Sequence, residues 1–209
     1  MSEFENLLGS YQKRINQTLE WLLPSDDSIL AEAMRYSVLN GGKRLRPILV
    51  YLSSELGEAN HDSIDTLAGS IELIHCYSLI HDDLPSMDDD DLRRGNPTTH
   101  KKYDEATAIL AGDALQPLAF ELISNLDTSD SNKITIVNCL ANACGYSGMV
   151  GGQIKDIHSK EINTVHDLDI MHSQKTGRLI QASLETSGIL SGLDLSLIHI
   201  SEPTRLAII

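Results

Sequence analysis

The chain has 209 residues, enough for one well-buried domain and too few for two comfortable ones. Thirty acidic residues against sixteen lysines and arginines leave a net charge of −14. That balance repels nucleic acid and anionic membrane surfaces, so any phosphate site must be a local island of base.

The cysteines, Cys76, Cys139 and Cys144, are odd in number and lack CxxC spacing, which reads as reduced thiols in a cytoplasmic protein. The first residues are acidic with no apolar leader, and no run of about eighteen apolar residues occurs. Apolar residues recur at helical spacing almost throughout, and proline is confined to a few punctuation points, so the fold class is all-α. A first helix is expected from Glu5 to Leu23, with Leu8, Ile15, Leu19 and Leu22 inward and Pro24 as its stop. Ser25 or Asp26 is expected to cap a second, which carries Leu30, Met34, Tyr36 and Val38 and ends at Gly41-Gly42. Gly41-Gly42-Lys43-Arg44-Leu45-Arg46-Pro47 then sets three cations in a glycine-started loop before a helix beginning near Pro47. Such a loop suits two roles: basic residues settling a helix C-terminus, or an anion receptor at a helix start.

A long helix is expected from Asp62 to Leu84, and its end carries the densest chemistry in the chain. Asp82, Asp83, Asp88, Asp89, Asp90 and Asp91 stand within ten positions, after an apolar run and before Arg93-Arg94-Gly95. Carboxylates crowded this way raise one another's pKa unless a cation sits among them. Acidic runs are commonly solvated loops, but Asp82 and Asp83 close an apolar helix, where charge is costly. Asp82 and Asp88 are about 240° out of phase on a regular helix, so both can face one site only if the helix breaks between them. Pro85 supplies the break. An EF-hand is excluded, because Gly95 at its sixth position puts Leu92 and Arg94 where oxygen ligands are required. Hard carboxylate oxygens suit Mg²⁺, and neighbouring guanidinium groups suit a diphosphate. On the same helix His75 lies seven residues before Asp82, on nearly the same face, although a histidine on an apolar helix is by itself commonly a core residue.

Further on, a helix is expected from Ala106 to Leu126, with Asp113 structural, and another from Asp130 or Ser131 to Gly145 with Ile134, Val137 and Leu140 inward. Gly151-Gly152-Gln153-Ile154-Lys155-Asp156 puts Gln153 and Asp156 on one helix face, a pattern that also fits a polar helix end. Thr164 with Asp167 reads as an N-cap pair opening a helix that contains Lys175-Thr176-Gly177.

Asp82-Asp83-x-x-x-x-Asp88 followed by Arg93-Arg94-Gly95 resembles the first aspartate-rich motif of the short-chain trans-prenyl diphosphate synthases, in its bacterial form with two extra residues between the aspartates. Within that family the pattern is most similar to the bacterial farnesyl diphosphate synthases. The resemblance implies an isoprenoid-synthase-type helical bundle around a central cavity and a usually homodimeric enzyme. It implies Mg²⁺ held by Asp82 and Asp88 with Asp83 close by, and isopentenyl diphosphate held by Lys43, Arg46, His75 and Arg94. Arg93, Gln153, Lys175 and Thr176 would serve the allylic diphosphate, Lys175 together with Asp82 and Asp88 taking the catalytic roles. Tyr77 and Ser78 fall where relatives floor the pocket of the growing prenyl tail. The resemblance covers residues 1–193 and then breaks: the second aspartate-rich motif and the last helices of the family do not follow, and residues 194–209 read as a non-native tail. Two alternatives to a working prenyltransferase therefore stay open, an inactive fragment or non-catalytic binding subunit, and a terpene cyclase. The cyclase has no second diphosphate to bind, so the Lys43–Arg46 loop counts against it.

Overall fold

Periodic apolar residues build ten α-helices and one short β-ribbon among the described residues, 3–158 and 163–193 of the computed structural model. The expected tail, 194–209, lies outside the described residues. The all-α expectation holds. The described residues fall into two compact units, one drawn from Met1–Ile48 and Ala68–Asn125, the other from Leu49–Leu67 and Leu126–Ile209.

In the first unit, α1 (Glu3–Leu22) buries Tyr11, Ile15, Leu19 and Leu22 on one stripe, as helical periodicity requires. The second helix, α2 (Ile29–Leu39), starts later than expected: Ser28 is its cap, accepting from the Ala31 N–H at 3.1 Å. Asp26, one of the two expected caps, instead accepts from the Ser28 N–H at 2.9 Å and so steadies the true cap. Leu30 faces outward, while Ala31, Ala33, Met34 and Val38 fill the inner stripe. Helix α3 (Leu45–Ser54), of which Leu45–Ile48 belong to this unit, begins two residues before the expected Pro47, which still lies in the first turn, where its missing N–H has no partner to lose. Helix α4 (His61–Asp82), which belongs to this unit from Ala68 on, ends two residues short of Leu84. A β-ribbon of β1 (Leu92–Arg93) and β2 (Asn96–Pro97) follows, with Leu92 opposite Pro97 and Arg93 opposite Asn96. Its loop, Arg94-Gly95, has positive φ at both residues (56° and 82°), the requirement of a primed hairpin turn. A single-turn helix, α5 (Thr99–Lys102), leads into α6 (Glu105–Ser124), which packs on α2 and α5 and carries Pro117 in its interior.

In the second unit, α7 (Asp130–Cys144) is capped by Ser129 and buries Ile136, Leu140 and Ala143. Ile134, expected inward, is 70% exposed because it lies about 200° around the helix from Ile136, on the far side of that stripe. After α8 (Met149–Ile157), Thr164 and Asp167 form the expected capping box at the start of α9 (Val165–His172). The next five residues, Ser173–Gly177, make a π-helical turn before α10 (Arg178–Leu190) packs along α7.

One buried ion pair ties the first unit together. Arg44, 2% exposed and at φ 53°, sends its guanidinium inward. Its Nη1 donates to Glu72 Oε1 on α4 at 2.8 Å, its Nε to Asn16 Oδ1 on α1 at 3.0 Å, and its Nη2 to the Val38 carbonyl of α2 at 2.7 Å. The left-handed backbone costs on the order of 1–2 kcal/mol for a residue with a Cβ, and a charge this deep is tolerated only because every arm of the fork is engaged. Arg44→Met is expected to destabilise the protein by about 3–5 kcal/mol, since it strands the Glu72 carboxylate, whereas adding Glu72→Met should recover much of the loss. Urea denaturation midpoints of the two variants check this, and a double variant no more stable than the single one would count against it.

Candidate active site

The acidic run is not a regular helix. After Asp82 the chain leaves the α-helical path, and the Asp88 N–H returns to the Asp82 carbonyl at 2.8 Å. The turn around Pro85 thus brings back together two aspartates that a straight helix would hold apart, as their spacing demands. Asp88 is exposed and Asp82 half-buried. Asp83 behaves differently from its neighbours. It is buried and accepts from Arg93, whose Nε lies at 2.9 Å and whose Nη2 also reaches Asp90 Oδ2 at 3.1 Å. Asp83 and Arg93 thus engage each other, clamping the acidic turn to the ribbon. Among the described residues no three His, Cys, Asp or Glu side chains converge on a ready-made metal cage. Two hard carboxylates with the remaining positions left to water and phosphate fit Mg²⁺, which commonly takes one or two protein ligands.

The basic island is built from two segments. Arg94, at the positive-φ corner of the ribbon, donates from Nη1 to the Gly41 carbonyl, and its guanidinium lies flat against Gly42. A Cβ at Gly42, itself at φ 125°, would meet Arg94 Cζ at 2.5 Å. Glycine there is what lets the arginine in. The Lys43 carbonyl is held by Gln12 Nε2 at 3.2 Å, and Lys43 itself is exposed. Arg46 is half-buried, its Nε has no hydrogen-bond partner, and burial pulls its pKa down while Glu72 pulls it back. His75 feels Arg46, Arg94, Arg44 and Arg93, and burial together with these cations lowers its pKa to about 3. The imidazole is neutral at physiological pH: a hydrogen-bonding group, not a cation. Tyr77 is buried a half-turn further on, and Ser78 is spent on the His75 carbonyl at 2.8 Å.

The second unit holds a polar group of its own. Gly152 lets α8 approach the backbone of the π-helical turn, where any Cβ would overlap Lys175. Lys175 Nζ then pairs with Asp156 Oδ2 at 2.5 Å, and Lys155 Nζ bonds Gln174 Oε1 at 2.7 Å. Gln153 is buried with neither its amide nitrogen nor its oxygen partnered, and Thr176 is exposed. Lys175 lies, as expected, inside a helical stretch, in its π-helical turn. The wider turn shifts its register relative to an α-helix.

Sequence reasoning misses three features here. The Arg94-Gly95 corner had a signal, a glycine after a short run closed by Asn96-Pro97. The structural role of Arg44 had none, because neighbouring cations in one loop look alike until burial separates them. The Lys175–Asp156 pair joins residues too far apart in sequence to be read as partners.

Comparison with known proteins gives a consistent result. The polyprenyl synthetase family model matches residues 27–203. The farnesyl diphosphate synthases of Escherichia coli (strain K12) and Haemophilus influenzae are 45% and 46% identical over 197 residues, which is 91% of this chain and 66% of each of them. The chain thus spans about two thirds of the length of the curated relatives it matches. A crystal structure of a geranyltransferase from Legionella pneumophila superposes with a TM-score of 0.85 at 42% identity, covering 89% of this chain and 67% of that one. An FPP/GFPP synthase from Zymomonas mobilis gives 0.89 at 37% identity, covering 94% and 74%.

The neutral His75 generates a pH dependence with a definite sign. Its folded pKa of about 3 lies below its unfolded value near 6.5, so between those limits the unfolded chain binds the extra proton. Stability is then full above pH 6.5 and is lost as pH falls, at up to about 1.4 kcal/mol per pH unit. His75→Gln cannot take up that proton. Its stability relative to the unchanged protein should rise as pH is lowered from about 6.5 to 4.5, measured by urea midpoints at each pH; a pH-independent difference would show that the histidine is already charged.

Proposed function

This chain belongs to the polyprenyl synthetase family, and we propose that it carries the family's chain-elongating chemistry: an allylic diphosphate, dimethylallyl or geranyl, condenses with isopentenyl diphosphate to give farnesyl diphosphate and pyrophosphate. The observation that carries this reading is the joint between the two segments in the first unit. The guanidinium of Arg94, which follows the aspartate-rich turn, is seated on Gly41-Gly42, which opens the basic loop, so one fold element serves metal-binding acids and anion-binding bases together.

In this reading Lys43, Arg46 and Arg94 bind the diphosphate of isopentenyl diphosphate, and the neutral His75 donates a hydrogen bond to it. The unpartnered Arg46 Nε is a donor left for that ligand. Asp82 and Asp88 hold Mg²⁺, which when bound neutralises the diphosphate of the allylic substrate and makes it a better leaving group. For Lys175, Thr176 and the buried Gln153 this reading keeps the allylic-diphosphate role that the family likeness implies, with Asp156 pairing the lysine within the second unit. The allylic carbon–oxygen bond breaks, the double bond of isopentenyl diphosphate forms the new carbon–carbon bond, and a proton leaves to the released pyrophosphate. No dedicated protein base is needed, and the chain contributes orientation, charge and exclusion of water. Tyr77, with Ser78 beside it, sets the floor for the prenyl tail. The reading extends to a cytoplasmic homodimer with no nucleic-acid or membrane partner, in keeping with the net charge of −14.

The second reading is a protein that binds diphosphates without turnover. Incubation of the purified chain with geranyl diphosphate and labelled isopentenyl diphosphate separates the two. Mg²⁺-dependent farnesyl diphosphate is the expected result, binding without product marks the second reading, and cyclic hydrocarbon without incorporated label marks a cyclase. The Gly42–Arg94 contact is tested separately with inorganic pyrophosphate by titration calorimetry. Gly42→Ala and Arg94→Ala should each weaken binding by about tenfold, and the double variant should be no worse than either alone; additive losses would mean that the two residues act independently.

A further inference from the structure

The aspartate-rich turn is anchored by Arg93 on one side, and the last helical turn of α4, on which Asp82 sits, has a contact of its own with α6. His81, the residue before it, reaches across to α6. Its Nε2 lies 3.1 Å from the Ile109 carbonyl and 3.9 Å from the Asp113 carboxylate, and the edge of its ring packs against Tyr77 at 5.9 Å between centroids and 75° between planes. A carbonyl only accepts, so Nε2 carries the hydrogen and donates. The imidazole fills a notch in α6 opened by Gly112: a Cβ there would overlap the ring, meeting Cδ2 at 2.6 Å and Cε1 at 3.0 Å. Gly112 is buried in the interior of α6 at φ below zero, so its backbone does not require glycine. Glycine in a helix interior is less favourable than alanine, and here the room for the ring is what it provides in return.

We propose that His81 is a positioning residue: seated in the Gly112 notch and bonded to the Ile109 carbonyl, it fixes the rotation of the final turn of α4 and thereby the direction of the Asp82 carboxylate. This inference rests on the reading of Asp82 and Asp88 as the metal-binding pair. Adjacent residues on a helix point about 100° apart, so a side chain locked at position 81 sets where position 82 points. Because the Tyr77 ring rests on the same imidazole, the lock also joins the proposed floor of the prenyl pocket to the metal end of the helix.

The test uses Mn²⁺, a paramagnetic stand-in for Mg²⁺, titrated into the full chain with inorganic pyrophosphate and followed by electron paramagnetic resonance. Gly112→Ala, whose methyl evicts the ring, and His81→Ala, which removes it without overpacking, should each weaken Mn²⁺ binding tenfold or more. His81→Gln, whose amide can still donate to the Ile109 carbonyl, should stay within about threefold. Circular dichroism should be unchanged in His81→Ala and His81→Gln, separating misdirection of Asp82 from loss of fold. Mn²⁺ binding within twofold of the unaltered protein in both His81→Ala and Gly112→Ala, with Asp82→Asn abolishing it, would overturn the positioning role alone. Absence of Mn²⁺ binding in the unaltered protein would overturn the metal reading and this inference together.

Discussion

The first unit depends on the burial of one charge. Arg44 lies in a loop whose neighbours, Lys43 and Arg46, are exposed and half-buried, yet it alone is driven inward to meet Glu72, Asn16 and the end of α2. Burying an ion pair gains little net stability over a well-packed apolar pair, but it penalises every arrangement in which the pair is broken. The basic loop is thereby anchored at Arg44.

Strain gathers at the same site. Among the described residues, the non-glycine residues with positive φ are Arg44, Asp89 and Arg94, all in the basic loop, the acidic turn and the ribbon corner that joins them. Each costs free energy that the surrounding contacts must offset, and such residues cluster where geometry matters more than stability. For Arg94 the offsetting contacts are visible. A primed turn would be easier with asparagine, but asparagine could not reach Gly41 and lie across Gly42.

Electrostatics separates two kinds of basic group within an acidic protein. Arginine stays charged under burial, so Arg46 and Arg94 remain cations where they stand. Histidine does not, and His75, deep among arginines, gives up its proton. The site thus offers fixed positive charge and a neutral donor side by side. In the second unit the corresponding lysine is treated differently again. Lys175 is held by Asp156 at 2.5 Å, which keeps its ammonium in one place.

Much of this was legible in the sequence because it is local. Helical periodicity, the Pro85 break, the Thr164–Asp167 capping box and the crowding of aspartates each follow from residues within a turn or two of one another, and each appears as expected. Local rules failed where distant partners decide. Ile134 looked as apolar as Ile136, and only α10 packing along α7 chose between them; Asp83 looked like Asp82 until Arg93 claimed it. The cap of α2 slipped to Ser28 because neighbouring acidic and hydroxyl residues compete at nearly equal energy. The sequence by itself determined the helical class, the family likeness and which residues carry oxygen or charge, since those depend on side-chain chemistry and spacing. Which cation is buried, which carboxylate stays open and which histidine is neutral were decided only by the tertiary structure, because desolvation and pairing are properties of what surrounds a group and not of the group itself.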